Sequence, residues 1–147
     1  MKFCRIDLSK TNYSIDAIPD WCYLTPTQNF IEKMNDIYKK YCAYKKFESV
    51  MPIFDSQYTD DSTDRIGYYH QNKLVAFSLI KKYDNKNAEA VQFAWNYEQC
   101  DLKFGIKSLE VECALYKSLG FKYLYLGQVS DYKIKFDGYE EITNPYV

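Results

Sequence analysis

Residues 88–127, AEAVQFAWNYEQCDLKFGIKSLEVECALYKSLGFKYLYLG, decide the fold. Residues 88–95 are apolar or β-favouring, too few for a buried helix, and followed by a polar loop, which predicts a strand. Helical periodicity follows, and Leu119-Gly120 ends it, because glycine readily adopts the left-handed conformation common at helix ends. Residues 121–126 form a second predicted strand, which Gly127 stops. The stretch therefore predicts the order strand, loop, helix, strand.

The predicted helix, residues 105–119, has a broad apolar face suited to packing on a sheet. Its central stripe recurs at positions i, i+3, i+7 and i+10, as Ile106, Leu109, Cys113 and Tyr116. Two strands joined by such a helix form a βαβ unit, which is right-handed if the strands are parallel. The loop of residues 96–104 then lies at the helix N-terminus, where unpaired N–H groups and the helix dipole favour anionic groups. We expect the functional site there.

Composition narrows the class of protein. The 147 residues suit one domain, residues 1–147, and 47% of them are hydrophobic, as in a globular protein. A net charge of −1 and a pI near 5.9 indicate no general attraction to nucleic acid. Five cysteines without a CxxC pair, and one histidine, support neither a disulfide framework nor a metal site. The N-terminus has no long apolar run, so we expect a soluble cytoplasmic protein without membrane contact.

The remaining chain supplies a helix and a meander of strands. Thr25-Pro26-Thr27-Gln28 resembles a capping box with proline at the first helical position. The helix that follows has one stripe of apolar and aromatic side chains: Phe30, Met34, Ile37, Tyr41 and Tyr44. Residues 65–69 and 74–82 predict a hairpin around Gln71-Asn72, and residues 83–87 a second turn. A mixed, mainly antiparallel sheet with helices packed on it follows, in the α/β or α+β class.

This order of elements resembles the Gcn5-related acetyltransferase (GNAT) fold, and most closely the C-terminal domain of arginyl- and leucyl-tRNA–protein transferases. In that domain a helix ending in Leu-Gly is followed by a Tyr-x-Tyr-Leu-Gly strand and then by Tyr-Lys-x-x-Phe. The matching residues here are Gly105 at the helix start, Gly120 at its end, Tyr123, Tyr125, Leu126 and Gly127 in the strand, and Tyr132, Lys133 and Phe136 in the closing motif. The resemblance covers roughly residues 30 to 142.

The resemblance implies transfer of an acyl or aminoacyl group to an amine, with aminoacyl-tRNA as a possible donor and a protein or small molecule as acceptor. One alternative is an acetyl-CoA-dependent N-acetyltransferase. The segment CDLKFGIKS lacks the (Gln/Arg)-x-x-Gly-x-(Gly/Ala) loop with which such enzymes hold the pyrophosphate, so we expect acetyl-CoA to bind weakly or not at all. The other alternative, of a different class, is a non-catalytic binding protein that retains the fold.

Candidate site residues lie around the end of the first strand and after the second. The resemblance implies catalytic roles for Tyr132 and Lys133, and Glu98 is a candidate general base if it is partly desolvated. The candidate substrate-binding residues are Asn96, Tyr97, Lys103, Gly105 and Tyr125. We expect an open cleft between the two strands, lined by Asn96, Tyr97, Tyr125 and Tyr132. Each residue also has an ordinary structural interpretation, as packing or solvation, and we expect Lys133 to be exposed.

Overall fold

The computed structural model describes residues 2–46, 59–96, 98 and 104–143. They form one seven-stranded sheet in the order β2-β3-β4-β5-β6-β1-β7. The strands are β1 Phe3–Asp7, β2 Trp21–Tyr23, β3 Thr63–His70, β4 Lys73–Lys82, β5 Asn87–Trp95, β6 Tyr123–Gln128 and β7 Tyr139–Ile142. The α-helices are α1 Gln28–Lys45, α2 Phe104–Ser118 and the single turn α3 Asp131–Ile134.

The predicted strand–helix–strand unit is confirmed. β5 and β6 are the two neighbouring strands that α2 connects, and they pair in parallel, whereas the other pairs of adjacent strands are antiparallel. Gly120, with φ of 92°, ends α2 as expected. β6 begins two residues later than predicted, since Phe121 packs its ring against Tyr116, 5.3 Å between centroids, instead of entering the strand.

The predicted meander is confirmed as β3, β4 and β5. Gln71 and Asn72 join the first two strands with φ of 51° and 65°, the pair of positive angles that a two-residue hairpin turn of type I′ requires. The Asp84 carboxylate accepts bonds from the backbone N–H groups of Lys86 and Asn87, which closes the second turn. These local polar contacts fix the order of the three strands.

The predicted capping box at the start of α1 is wrong. The helix begins at Gln28, and its N-cap, Thr27, makes no side-chain capping bond. The Ile31 N–H donates to the Thr27 carbonyl at 3.0 Å, so the first turn starts after Thr27 and Pro26 lies outside the helix. The predicted stripe is buried at Met34 and Ile37, but Tyr44 is 48% exposed.

The helices cover opposite faces of the sheet. Alternate residues of a strand point to opposite faces, and β4 is buried on both sides. Phe77 and Leu79 belong to the cluster that contains Met34 and Ile37 of α1, whereas Ile80 belongs to the larger cluster that contains the apolar side chains of α2. No helix in the described parts of the chain is long and apolar enough to cross a membrane.

Candidate functional site

The parallel pairing of β5 and β6 is short. It runs from Asn87 opposite Tyr123 to Glu89 opposite Tyr125 and then stops, although both strands continue. β5 has an extra residue, Val91, relative to β4, and β6 has an extra residue, Leu126, relative to β1. Such β-bulges bend a strand and increase its local twist. Two bulges directly after the last parallel pair account for the parting of the strands.

A cleft of about 260 Å³ occupies the gap between the parted strands. Its walls come from β5, β6, α1, α2 and α3, and its lining residues are Tyr41, Ala90, Val91, Gln92, Phe93, Gly105, Ser108, Leu109, Glu112, Leu126, Tyr132 and Lys133. The cleft therefore opens beside the first turns of α2, close to where the sequence predicted a site.

The two strands present different edges to the cleft. On β6, the Lys133 ammonium donates to the backbone carbonyls of Leu126 and Gln128, both at 2.9 Å. On β5, residues 90–93 line the cleft without a paired strand on that side among the described residues. The Gln92 side chain donates to the Phe93 carbonyl at 3.1 Å. An extended ligand could therefore pair with the edge of β5 as an added strand does.

The structure brings three of the predicted site residues together. Tyr132 and Lys133 lie at α3, Gly105 lies in the first turn of α2, and all three line the cleft. A Cβ atom at Gly105 would meet only Phe93 Cε2, at 3.9 Å, an ordinary contact. Packing therefore does not require glycine here, which favours the interpretation that Gly105 keeps space open for a ligand.

The expected lining of the cleft is wrong for Asn96 and Tyr125. Asn96 lies in a separate groove of about 310 Å³ between α1 and the β3–β4 turn, which we call the α1 groove. Tyr125 is fully buried; its hydroxyl accepts from Arg5 Nη1 at 3.2 Å and donates to Asn87 Oδ1 at 3.4 Å. The bulge at Leu126 follows Tyr125 directly, so Tyr125 still belongs to the paired part of β6.

The other predicted residues fall on the loop after β5. Glu98 is exposed, and its backbone N–H donates to Asn96 Oδ1 at 3.1 Å. It does not belong to the lining of the cleft. Tyr97 and Lys103 lie outside the described residues. The roles of Glu98, Tyr97 and Lys103 stay predictions.

Burial changes the acid–base properties of two lining side chains. Burial raises the pKa of the Tyr132 hydroxyl, with Tyr41 and Glu112 adding to the effect, so Tyr132 stays protonated at neutral pH. Burial lowers the pKa of the Lys133 ammonium, which is half-buried rather than exposed as the sequence suggested. Its bonds to two carbonyls show why: the side chain folds back on β6 instead of reaching into solvent.

Sequence reasoning missed Glu112. This side chain is 2% exposed, lines the cleft, and accepts bonds from Tyr68 Oη at 2.5 Å and Ser78 Oγ at 2.7 Å. Burial raises its pKa to about 7. The available signal was an acid between Val111 and Cys113, three residues after Leu109 on the apolar face of the helix.

The comparisons with known proteins identify the fold. Neither a family model nor a curated protein matches the chain. Among solved structures, L-PGS from Bacillus licheniformis has 14% identity and a TM-score of 0.67 over 87% of this chain and 46% of its own. The C-terminal domain (DUF2156) of a candidate lysylphosphatidylglycerol synthetase from Agrobacterium fabrum has 10% identity and a TM-score of 0.62 over the same shares.

A third structure is covered over most of its length. The aminoglycoside acetyltransferase meta-AAC0020, from an uncultured soil sample, has 15% identity and a TM-score of 0.57 over 82% of this chain and 84% of its own. The chain spans a little under half of the first two proteins. These likenesses show the GNAT fold that the sequence predicted. The finer link to arginyl- and leucyl-tRNA–protein transferases is not among them.

Proposed function

We propose that the cleft between β5 and β6 binds an acyl donor and transfers its acyl group to an amine. The parting of the two strands is the observation that carries this proposal, because it leaves the edge of β5 at residues 90–93 open beside the first turns of α2. A donor paired with that edge would be held in one orientation, and orientation is a large part of the catalysis of such a reaction.

The lining side chains suit the chemistry of acyl transfer. The amine nitrogen attacks the acyl carbon, the new C–N bond forms, and the bond to the leaving group breaks. Tyr132, whose raised pKa keeps it protonated, is placed to give a proton to the leaving group. Lys133 uses two of its three N–H donors on β6 carbonyls, which leaves one for the oxyanion that forms on the acyl oxygen.

We infer that the donor is an aminoacyl-tRNA rather than acetyl-CoA. The motif of residues 123–136 resembles that of aminoacyl-tRNA–protein transferases, and the segment before α2 lacks the glycine pattern that lets several backbone N–H groups converge on a pyrophosphate. The name of the Agrobacterium protein also includes a lysyl product. Calorimetry tests the negative half of this inference: micromolar binding of acetyl-CoA would overturn it.

Product detection tests the proposed function itself. The protein is incubated with total charged tRNA or with acetyl-CoA, together with primary amines and a lysine-rich peptide, and products are followed by mass spectrometry. We expect an aminoacylated amine that depends on charged tRNA, and a rate at least tenfold lower in Tyr132→Phe. Absence of any acylated product, with donor binding detected by a raised melting temperature, would instead support the non-catalytic binding protein.

A further inference from the structure

Glu112 is the acid at the closed end of the cleft. Tyr68 from β3 and Ser78 from β4 both donate to the same carboxylate oxygen, Oε2. The other oxygen, Oε1, has no hydrogen-bond partner among the described residues, while the side chain lines the cleft. A buried carboxylate oxygen without a partner is costly unless a ligand or water completes it. Oε1 is therefore available to whatever enters the cleft.

The charges of the cleft favour a cation at this end. Among the described lining residues, Glu112 is the one acid and Lys133 the one base. Lys133 already donates to the carbonyls of Leu126 and Gln128, whose partial negative charges offset its own. Glu112 has only hydroxyl partners, which do not neutralise a carboxylate. A cationic group beside Oε1 would supply the missing counter-charge.

The walls of the cleft suit an unbranched apolar stem. Aromatic rings of Tyr41, Phe93 and Tyr132 and the side chains of Leu109 and Leu126 line it. Such rings attract cations as well as apolar groups. The volume of about 260 Å³ lies just below the roughly 300 Å³ at which pockets for drug-sized ligands begin. The space fits a slender chain with a charged tip better than a branched ligand.

We propose that the closed end of the cleft, at Glu112 Oε1, binds the ammonium group of an unbranched aliphatic amine. This assignment rests on the proposed function, in which that amine is the acceptor. Tyr68 and Ser78 act as positioning residues, since they hold the carboxylate through Oε2 and do not touch the amine.

The assignment gives the acceptor proton a destination. In the desolvated pair, the ammonium passes one proton to the Glu112 carboxylate and becomes a neutral amine with a free electron pair. That pair forms the C–N bond with the acyl carbon while the bond to the leaving group breaks. The second nitrogen proton goes to the leaving group, and Glu112 later releases the first proton to water. Charge and atoms balance without a further reactant.

Titration of the full chain with n-butylammonium, followed by backbone amide NMR, tests the binding site. 1-Butanol is the matched neutral probe, because it has the same number of heavy atoms. We expect the wild type to bind n-butylammonium at least tenfold more tightly than 1-butanol, with shifts at residues 90–93 and 105–112. Glu112→Gln should remove that preference, and Glu110→Gln, on the same helix but outside the cleft, should keep it. Equal preference in Glu112→Gln, or shifts confined to other surfaces, would overturn the proposal.

A second measurement uses the wild type alone, in case Glu112→Gln fails to fold. The titratable or polar groups that face Glu112 are Tyr68 and Ser78 from the sheet, Cys113 and Tyr116 on α2, and Tyr132 and Lys133 at α3. Of these, Glu112 is the group whose pKa lies near 7. Affinity for n-butylammonium should therefore fall about tenfold between pH 8 and pH 6. A constant affinity over this range would contradict the assignment.

The two proposals fail separately. Binding of n-butylammonium at Glu112 without acyl transfer from any donor would leave the amine site standing and refute the proposed function. Acyl transfer at equal rates in wild type and Glu112→Gln would support the function and refute the amine site.

Discussion

Glu112 illustrates how its surroundings determine the chemistry of a single residue. A glutamate on a helix surface would be ionised at neutral pH, but this one is enclosed by β3, β4 and α2, and burial raises its pKa to about 7. The two hydroxyls that donate to it act in the opposite direction and moderate the shift. Its partners are 34 and 44 residues away in sequence, so only the fold reveals its environment.

Stability should therefore depend on pH through Glu112. Between pH 4.5, its ordinary pKa, and about 7, the folded protein holds a proton that the unfolded chain has released, so stability falls as pH rises through this window and levels off above it. Glu112→Gln removes this loss, worth about 3 kcal/mol or roughly 6–12 °C in melting temperature. The measurement is the melting temperature of both proteins from pH 4.5 to 8, with Glu110→Gln as control. A constant difference between wild type and Glu112→Gln would contradict the burial of an ionisable acid.

Lys133 should contribute to stability as well as to the site. The sequence suggested an exposed lysine whose loss the fold would tolerate, but its ammonium bonds to two carbonyls of β6. We expect Lys133→Met to lower the free energy of unfolding by about 1–2 kcal/mol, discounted because the group is half-exposed. Lys135→Met, an exposed neighbour on the same segment, should change it by less than about 0.5 kcal/mol. Equal urea midpoints for the two variants would show that the two carbonyl bonds add nothing to stability.

At the scale of elements, the two glycines of α2 should respond oppositely to alanine. Gly105 lies within the first helical turn with open space around it, so Gly105→Ala should stabilise the protein by up to about 1 kcal/mol. The added methyl group should also narrow the cleft and weaken ligand binding. Gly120 has φ of 92°, where alanine is strained, so Gly120→Ala should destabilise by about 1–2 kcal/mol. Denaturant unfolding of both variants measures the contrast; destabilisation by Gly105→Ala would show that the helix start is packed more tightly than described.

The elements themselves were largely predictable because their signals are local. Periodicity located α1 and α2, and turn residues such as Gln71-Asn72 ordered the meander. The parting of β5 and β6 was expected only from the family resemblance, because its cause is non-local: the bulges at Val91 and Leu126 are defined by register against β4 and β1. A bulge in a strand leaves no pattern in the sequence of that strand alone.

At the scale of the whole molecule, the motif that suggested a family divides into two roles. Tyr123 and Tyr125 do not face the cleft; Arg5 lies over the Tyr123 ring at 3.7 Å and bonds to the Tyr125 hydroxyl and to Glu140. These residues join β1, β6 and β7. Tyr132 and Lys133 line the cleft instead. The sequence could therefore predict the presence of a site but not which members of the motif belong to it, since that depends on strands from both ends of the chain.

Amide hydrogen exchange with and without aminoacyl-tRNA tests the central claim, that the parted strands hold the acyl donor. Backbone groups paired with a ligand exchange more slowly, whereas an open strand edge exchanges freely. The account predicts that the donor slows exchange at least tenfold at residues 90–93 and in the first turns of α2, around residues 105–109. Protection confined to the α1 groove, or no change at residues 90–93 under conditions where the donor binds, would contradict it.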